Sequence, residues 1–343
     1  MDIAVSRSGG PYISTMNIVN SKLKEDYEFH TFDYDPKIGH TISIRRILDL
    51  KRKIEAIHPD IVHFSGLQLS GFHIAVACKL ARVKKSIVVI HGSSLEAIQF
   101  AKHKKVIMAI LEFITLLLVD FCYGVSKYAS QLPVARLFKH KNLGHIYNLA
   151  TINFEVESNV TRADLGFTNE DIVVTSVARI TREKGYAVLS EAICADNNPQ
   201  VKYLIVGDGE YLEVMKENHR DDIKNGKVVF LGKRGDIGSL LKLSDIFVLP
   251  TLHETLSVSL LEASNASLPL IASEVGGVPE VVINGENGYL VPAGDALRLS
   301  EAISELVGNP AKRKNMGYNA LLHVKNVFNE EIILHHISNV YNR

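Results

Sequence analysis

Short apolar runs alternate with stretches of helical spacing along the whole chain, and this alternation restricts the fold more than any other feature. In the first half Ile61-Val62-His63-Phe64, Ser86 to Ile90 and Phe121 to Val125 read as strands. Ile3-Ala4-Val5 precedes them and the short strand Gly144-His145-Ile146-Tyr147 follows. Between strands, Ile44, Ile47, Leu48, Ile54 and Ile57 recur at helical spacing, with Arg45, Arg46, Lys51, Arg52 and Lys53 on or near the other face. Phe72 to Leu80 reads as a further helix. In the second half Ile172 to Val177, Tyr203 to Val206, Val228 to Gly232, Ile246 to Leu249 and Leu268 to Ala272 read as strands, with a helix from Asp295 to Leu306. Strand and helix in alternation predict an α/β fold with doubly wound parallel sheets. The polar, unpatterned stretch Asn153 to Asp164 reads as a linker between a domain over 1–152 and a second over 165–326.

Length and composition agree. The chain has 343 residues, enough for two domains, with 46% hydrophobic and 22% charged residues, as in soluble globular proteins. The opening residues read as a strand, with no secretory signal. Cys78, Cys122 and Cys194 are odd in number and widely spaced, which argues against a disulfide framework and a zinc site and for a reducing, cytoplasmic setting. The net charge of zero hides an asymmetry: residues 1–150 hold 20 Lys and Arg against 12 Asp and Glu, and the rest holds 18 against 26. A basic first half suits an anionic partner such as a membrane surface, a lipid-linked phosphate or nucleic acid, unless its charges are merely solvated.

The stretch richest in chemistry is His253-Glu254-Thr255-Leu256-Ser257-Val258-Ser259-Leu260-Leu261-Glu262. It follows a buried strand closed by Pro250. Ser257 to Ala266 reads as a helix, so Glu254 sits on the strand-to-helix loop and Glu262 inside the helix. The N–H groups of Leu256, Ser257 and Val258 open that helix, and unpaired donors at the positive end of a helix dipole suit a phosphate. A carboxylate beside them can face sugar hydroxyls or a developing positive charge. A second, eight residues on, can reach the other end of the same ligand. Taken alone, two such glutamates also describe an ordinary surface pair.

Other candidates lie at strand ends. Arg179 and Lys184 flank the carboxyl edge of the Ile172–Val177 strand, where fixed cations would neutralise a diphosphate or simply form a solvated loop. Gly207-Asp208-Gly209 lacks a third glycine, and Ser8-Gly9-Gly10-Pro11 carries no dinucleotide fingerprint. His91 ends the Ser86–Ile90 strand, where open α/β sheets bind ligands. Lys102-His103-Lys104-Lys105 leads into an apolar run from Val106 to Val119, broken only by Glu112 and Thr115. The run is too short to span a membrane. It reads as a buried helix rather than one lying on a bilayer, because so large an apolar face would be costly in water.

In order and spacing these pieces resemble the retaining glycosyltransferases of glycosyltransferase family 4, which have the GT-B fold of two facing Rossmann-like domains. The resemblance rests on Arg179-x4-Lys184-Gly185, Val206-Gly207-Asp208-Gly209-Glu210, Glu254-x7-Glu262, Gly276-Gly277-Val278-Pro279-Glu280 and Asn287-Gly288. In the first half it rests on Gly9-Gly10, Pro59-Asp60-Ile61-Val62-His63, His91-Gly92, Val125-Ser126 and Ile146-Tyr147-Asn148. It implies that Arg179 and Lys184 bind the donor diphosphate, that the amides of Ser257 and Val258 bind the distal phosphate, and that Gly10 lets a first-domain loop approach. It implies ribose binding by Glu262 and sugar contact by Glu254, with His253, Thr255 and Leu256 nearby. It also places His91 at the donor sugar as a catalytic partner of Glu254, and Gly207, Gly209 and Gly232 in loops of the nucleotide domain. The acceptor would lie on the first domain, and a last helix over 327–343 would return to it. No metal and no cofactor are implied, since a nucleotide-sugar is a substrate. Leu256 and Ser257 replace an aromatic and a glycine common in the family, and Ala266-Ser267-Leu268-Pro269 lacks the usual glycine.

The resemblance implies transfer of a sugar, commonly from a UDP-sugar, to a glycan or lipid-linked acceptor in cell-surface polysaccharide synthesis. The enzyme would be cytoplasmic, with peripheral contact to anionic membrane through its basic half and no nucleic-acid partner. A nucleotide-sugar epimerase or a phosphorylase on the same fold, and a silent nucleotide-sugar-binding protein, are the alternatives. A nicotinamide dehydrogenase is disfavoured by the missing third glycine and ribose-binding acid after Gly9-Gly10.

Overall fold

The computed structural model describes residues 2–4, 10–33, 41–96, 101–149 and 158–343. The chain divides into two compact units, one of residues 1–150 with 330–343 and one of 151–329.

In the first unit the strands are β1 (Asp2–Ala4), β2 (Thr31–Asp33), β3 (Ile61–Ser65), β4 (Lys85–Ile90), β5 (Phe121–Gly124) and β6 (Asn142–His145). The longer helices are α1 (Gly10–Asn20), α2 (Ile44–Ile57), α3 (Leu69–Leu80) and α4 (Lys102–Leu118), with short α5 (Lys127–Ser130) and α6 (Pro133–Leu137). The sheet order is β2-β1-β3-β4-β5-β6, and every pairing is parallel. Strands covered on both faces need apolar residues throughout, so β3 and β4 are almost wholly buried. Their core includes Val62, Phe64, Ile74, Val88, Ile90 and Leu116.

Three details of the first unit depart from the sequence reading. Strand β2 carries no long apolar run that would signal it. The final strand is Asn142–His145, two residues ahead of the expected segment. Helix α4 is not a buried helix. Its inner face holds Leu111, Glu112, Thr115 and Leu116, whereas Val106, Ile107, Ile110, Phe113 and Leu117 face outward. The two polar residues that seemed to interrupt the apolar run are both turned inward with Leu111 and Leu116, because each finds partners there. Glu112 accepts from Ser93 Oγ at 2.7 Å and Ser94 N at 2.6 Å. Thr115 Oγ1 donates to Leu67 O at 3.1 Å and Leu111 O at 2.8 Å. Lys141 caps the helix, its Nζ donating to Leu117 O and Val119 O, each at 2.7 Å.

The last helix of the chain, α14 (Glu330–Tyr341), belongs to the first unit. Tyr341 Oη meets His63 Nδ1 at 2.9 Å, His63 Nε2 meets Tyr123 Oη at 2.9 Å, and Lys85 Nζ donates to Tyr341 O at 2.7 Å.

In the second unit the strands are β7 (Ile172–Val177), β8 (Val201–Val206), β9 (Val228–Gly232), β10 (Ile246–Leu249), β11 (Leu270–Ser273) and β12 (Gly288–Val291). The helices are α7 (Tyr186–Ala195), α8 (Leu212–Asn218), α9 (Arg220–Lys224), α10 (Ile237–Lys242), α11 (Val258–Asn265), α12 (Ala296–Gly308) and α13 (Pro310–Val327). The sheet is again parallel, in the order β12-β11-β10-β7-β8-β9. Residues 158–164, read as linker, are bound into this unit: Ser158 N donates to Ser239 Oγ at 3.1 Å, and Arg162 pairs with Asp245 at 2.7 Å. The rest of that stretch, 153–157, lies outside the described residues.

Candidate active site

Sheet order selects the place. In the second sheet the chain runs outward through β7, β8 and β9, then restarts on the other side of β7 with β10. Adjacent strands β7 and β10 therefore form the topological switch point, where loops leave the carboxyl edge in opposite directions and open a crevice. The loop after β7 carries Arg179 and Lys184, and the loop after β10 carries His253 to Ser257.

These two loops are fastened together. Leu252 N donates to Glu183 O at 2.8 Å and Thr251 Oγ1 to Glu183 O at 3.3 Å. Gly185 has φ +76°, and a Cβ there would lie 1.6 Å from Pro250 O, so only glycine allows the approach. The result is a direct contact between two predicted site residues: Lys184 Nζ lies 2.6 Å from Glu254 Oε2, both side chains largely buried. Glu254 Oε1 accepts from Thr255 N at 3.1 Å, and Glu254 O accepts from Gly277 N at 3.1 Å, which ties in the Gly276-Gly277 turn. His253 Nδ1 stands 3.8 Å from Glu183 Oε1. Thr255 and Leu256 are buried and support the loop rather than face outward.

Ser257 is the N-cap of α11, its side chain accepting from Leu260 N at 3.3 Å. The helix thus starts at Val258, one residue later than expected. Among the described residues no protein acceptor takes the N–H groups of Ser257, Val258 or Ser259. Glu262, one turn further along α11, is half-buried. Burial pushes its carboxyl up to about 7.

Arg179 is exposed just past the end of β7. Its loop is shaped by glycines. A Cβ on Gly207, at φ +142°, would lie 1.9 Å from Ala178 O, and one on Gly209 would lie 2.4 Å from Ile180 O. Gly232 serves backbone conformation only, at φ +64° with open space around it. Asn287 is architectural too: Ile283 N donates to its Oδ1 at 2.7 Å, and its Nδ2 donates to Val281 O at 2.9 Å.

The first unit holds the remaining candidates. Gly10 is the first residue of α1; Ser8 and Gly9 lie outside the described residues. His91 follows β4 with its Nε2 3.1 Å from Ser65 Oγ. Burial, with His63 nearby, pushes its imidazole down to about 4, so it is neutral at pH 7. The sequence reading missed Glu112, whose carboxylate holds the Ser93-Ser94 turn directly after His91-Gly92. Its signal was a lone acid in an apolar run. Asn148, which accepts from Ser14 Oγ at 2.9 Å, fixes the chain at the same edge.

Comparison with known proteins agrees with this fold. The family described as "Glycosyl transferase 4-like" matches residues 12–120, and "Glycosyl transferases group 1" matches residues 157–323. The capsular polysaccharide biosynthesis glycosyltransferase CapM of Staphylococcus aureus is 25% identical, covering 95% of this chain and 89% of its own. The UDP-Gal:alpha-D-GlcNAc-diphosphoundecaprenol alpha-1,3-galactosyltransferase of Escherichia coli is 27% identical over 76% of this chain and 70% of its own. Among solved structures, Anabaena HepE in complex with UDP superposes with a TM-score of 0.80 at 21% identity, covering 99% and 98% of the two chains. Sucrose-phosphate synthase from Thermosynechococcus elongatus gives 0.76, also at 21% identity, covering 99% and 97%. With one family matched in each half and the GT-B fold over its whole length, the chain belongs to the group 1, family 4-like glycosyltransferases.

Proposed function

We propose that the protein transfers a sugar, with retention of anomeric configuration and without a metal, from a UDP-sugar to a glycan or lipid-linked acceptor in cell-surface polysaccharide synthesis. One observation carries this reading: the Lys184–Glu254 pair stands at the switch point beside a helix whose first amides have no acceptor among the described residues. The leaving nucleoside diphosphate develops negative charge, which Arg179, Lys184 and the Val258 and Ser259 amides supply donors to meet. When the diphosphate binds, Lys184 turns from Glu254 to the phosphates, and the released carboxylate faces the developing positive charge of the sugar. Glu262 accepts from the ribose hydroxyls, and its ionisation follows once they donate to it. His91 is the first domain's candidate for contact with the sugar, and as a neutral imidazole it offers a hydrogen bond rather than a charge. The UDP-sugar and the lipid-linked acceptor are supported by the name of the Escherichia coli relative, and the polysaccharide setting by that of the Staphylococcus aureus relative.

The test is a thermal-shift screen with UDP, GDP, ADP and their sugar conjugates, without added metal. A ligand at 100 times its Kd stabilises by about 2.7 kcal/mol. UDP compounds are expected to raise the melting temperature and Lys184→Ala to remove the effect. No shift with any nucleotide would overturn the donor assignment. Product analysis separates transfer from epimerisation, and the anomeric configuration of the product tests retention.

A further inference from the structure

The first unit holds a cavity that the proposed transfer does not use, and from its lining we infer that it binds a neutral sugar unit of a glycan. Its volume is about 300 Å3, at the lower end of small-molecule sites. The walls come from residues 26–30, which lead into β2, from residues 57–61, which lead into β3, and from His63 and Tyr341. The cavity therefore lies at the amino edge of the sheet, away from the carboxyl edge that carries His91.

One wall is a row of rings. Phe29 and Tyr27 have centroids 6.4 Å apart, Tyr27 meets Tyr341 edge-on at 5.1 Å, and Tyr341 meets His63 edge-on at 5.6 Å. Hydrogen bonds fix the row. Tyr341 Oη lies 2.9 Å from His63 Nδ1, and Tyr27 Oη donates to Asn342 Oδ1 at 3.1 Å. His63 and Tyr341 are both buried. Rings held in this way lose little freedom when the apolar face of a ligand packs on them.

The charged groups select the ligand. Among the described residues the lining holds Asp26, Glu28 and Asp60 and no Lys or Arg. Such a lining repels phosphates, so the cavity is not a second site for a nucleotide or a lipid-linked diphosphate. Nor does it call for a cation, because two of the carboxylates already have protein partners. Lys84 Nζ lies 2.7 Å from Asp60 Oδ1, and His30 Nε2 lies 2.9 Å from Glu28 Oε1. A carboxylate with one such partner keeps further lone pairs, which hydroxyl groups fill. A ligand with hydroxyls around an apolar face meets both walls, and a pyranose ring has that form. On the transfer reading the site would hold the glycan that the enzyme extends, whereas sugar binding itself does not depend on that reading.

The experiment is saturation-transfer difference NMR on the full chain. Cellobiose, lactose and diacetylchitobiose are the probes, tetramethylammonium is the cationic control, and each is titrated without and with excess UDP. At least one disaccharide is expected to bind in both conditions. Phe29→Ala and Asp26→Asn are each expected to weaken it about tenfold. Asp26 is exposed, so Asp26→Asn tests the site even where Phe29→Ala lowers the melting temperature. Three results would each overturn the proposal: no binding of any disaccharide, binding that UDP abolishes, or binding that both variants leave intact. Tighter binding of tetramethylammonium than of every sugar would overturn it too. The UDP-induced melting shift, measured on the same variants, is expected to persist and reports separately on the donor reading.

Discussion

The residues of the switch point sort into those that act and those that hold the actors. Lys184 and Glu254 neutralise one another at 2.6 Å with little solvent contact. Lys184→Ala leaves a buried carboxylate with one donor, Thr255 N, and should cost about 1–3 kcal/mol of stability as well as donor binding. Glu254→Gln keeps the shape and an acceptor but leaves the Lys184 cation without its counter-charge, so it should cost some stability too, no more than Lys184→Ala, while transfer falls by orders of magnitude. Turnover near wild type in either variant would remove both residues from the proposed mechanism. Gly185→Ala is different in kind. Its Cβ would overlap Pro250 O, so soluble, folded protein of unchanged melting temperature would contradict the loop geometry.

At the scale of elements, α4 shows what periodicity conveys and what it omits. The Val106–Val119 run specified a helix, and one forms over Lys102–Leu118. Which side of it would be buried was not readable, because both sides are apolar. The choice is made by Ser93, Ser94 and Leu67, which supply partners for Glu112 and Thr115 on the inner side. Those partners come from other elements, so nothing within the run announces them. Glu112→Ala leaves Ser94 N and Ser93 Oγ unsatisfied and should destabilise the first unit by about 2–3 kcal/mol, read by denaturant titration. Glu112→Gln, which keeps an acceptor, should cost less than half of that. Equal costs would show that the carboxylate does not hold the turn. Helix α2 makes the same point: its buried residues are Ile47, Leu50 and Ile54, while Ile44 and Leu48 of the expected apolar face are exposed.

Across the whole molecule the two units carry opposite pH responses. In the first, His91 and His73 are each pushed down to about 4, chiefly by burial, from an ordinary 6.5. A histidine with a depressed folded-state pKa stabilises fully above its unfolded value and loses that contribution as pH falls through the folded one. In the second, Glu262 is raised to about 7 from 4.5. A carboxyl so raised contributes its stability below 4.5 and loses it as pH rises through 7. Between pH 6.5 and 4.5, acidification should weaken the first unit and strengthen the second, by about 2–3 kcal/mol per group at most. Calorimetry across that range checks this, with Glu262→Gln flattening the response of one transition only. Parallel movement of both transitions would overturn it.

The sequence by itself determined the parallel α/β architecture, because strands buried on both sides must be apolar throughout and such runs are visible in one dimension. It also determined the strand ends that carry Arg179, Lys184, Glu254 and His91 and the helix that carries Glu262, because spacing sets which residues follow a strand. Only the tertiary structure decided that Lys184 and Glu254 touch, that Gly185, Gly207 and Gly209 are needed for backbone approach, and that α4 turns Glu112 and Thr115 inward and leaves Val106, Ile107, Ile110, Phe113 and Leu117 outside. Each of these depends on residues far apart in the chain meeting at one place, and strand order, set by packing over the whole sheet, decides which ones meet.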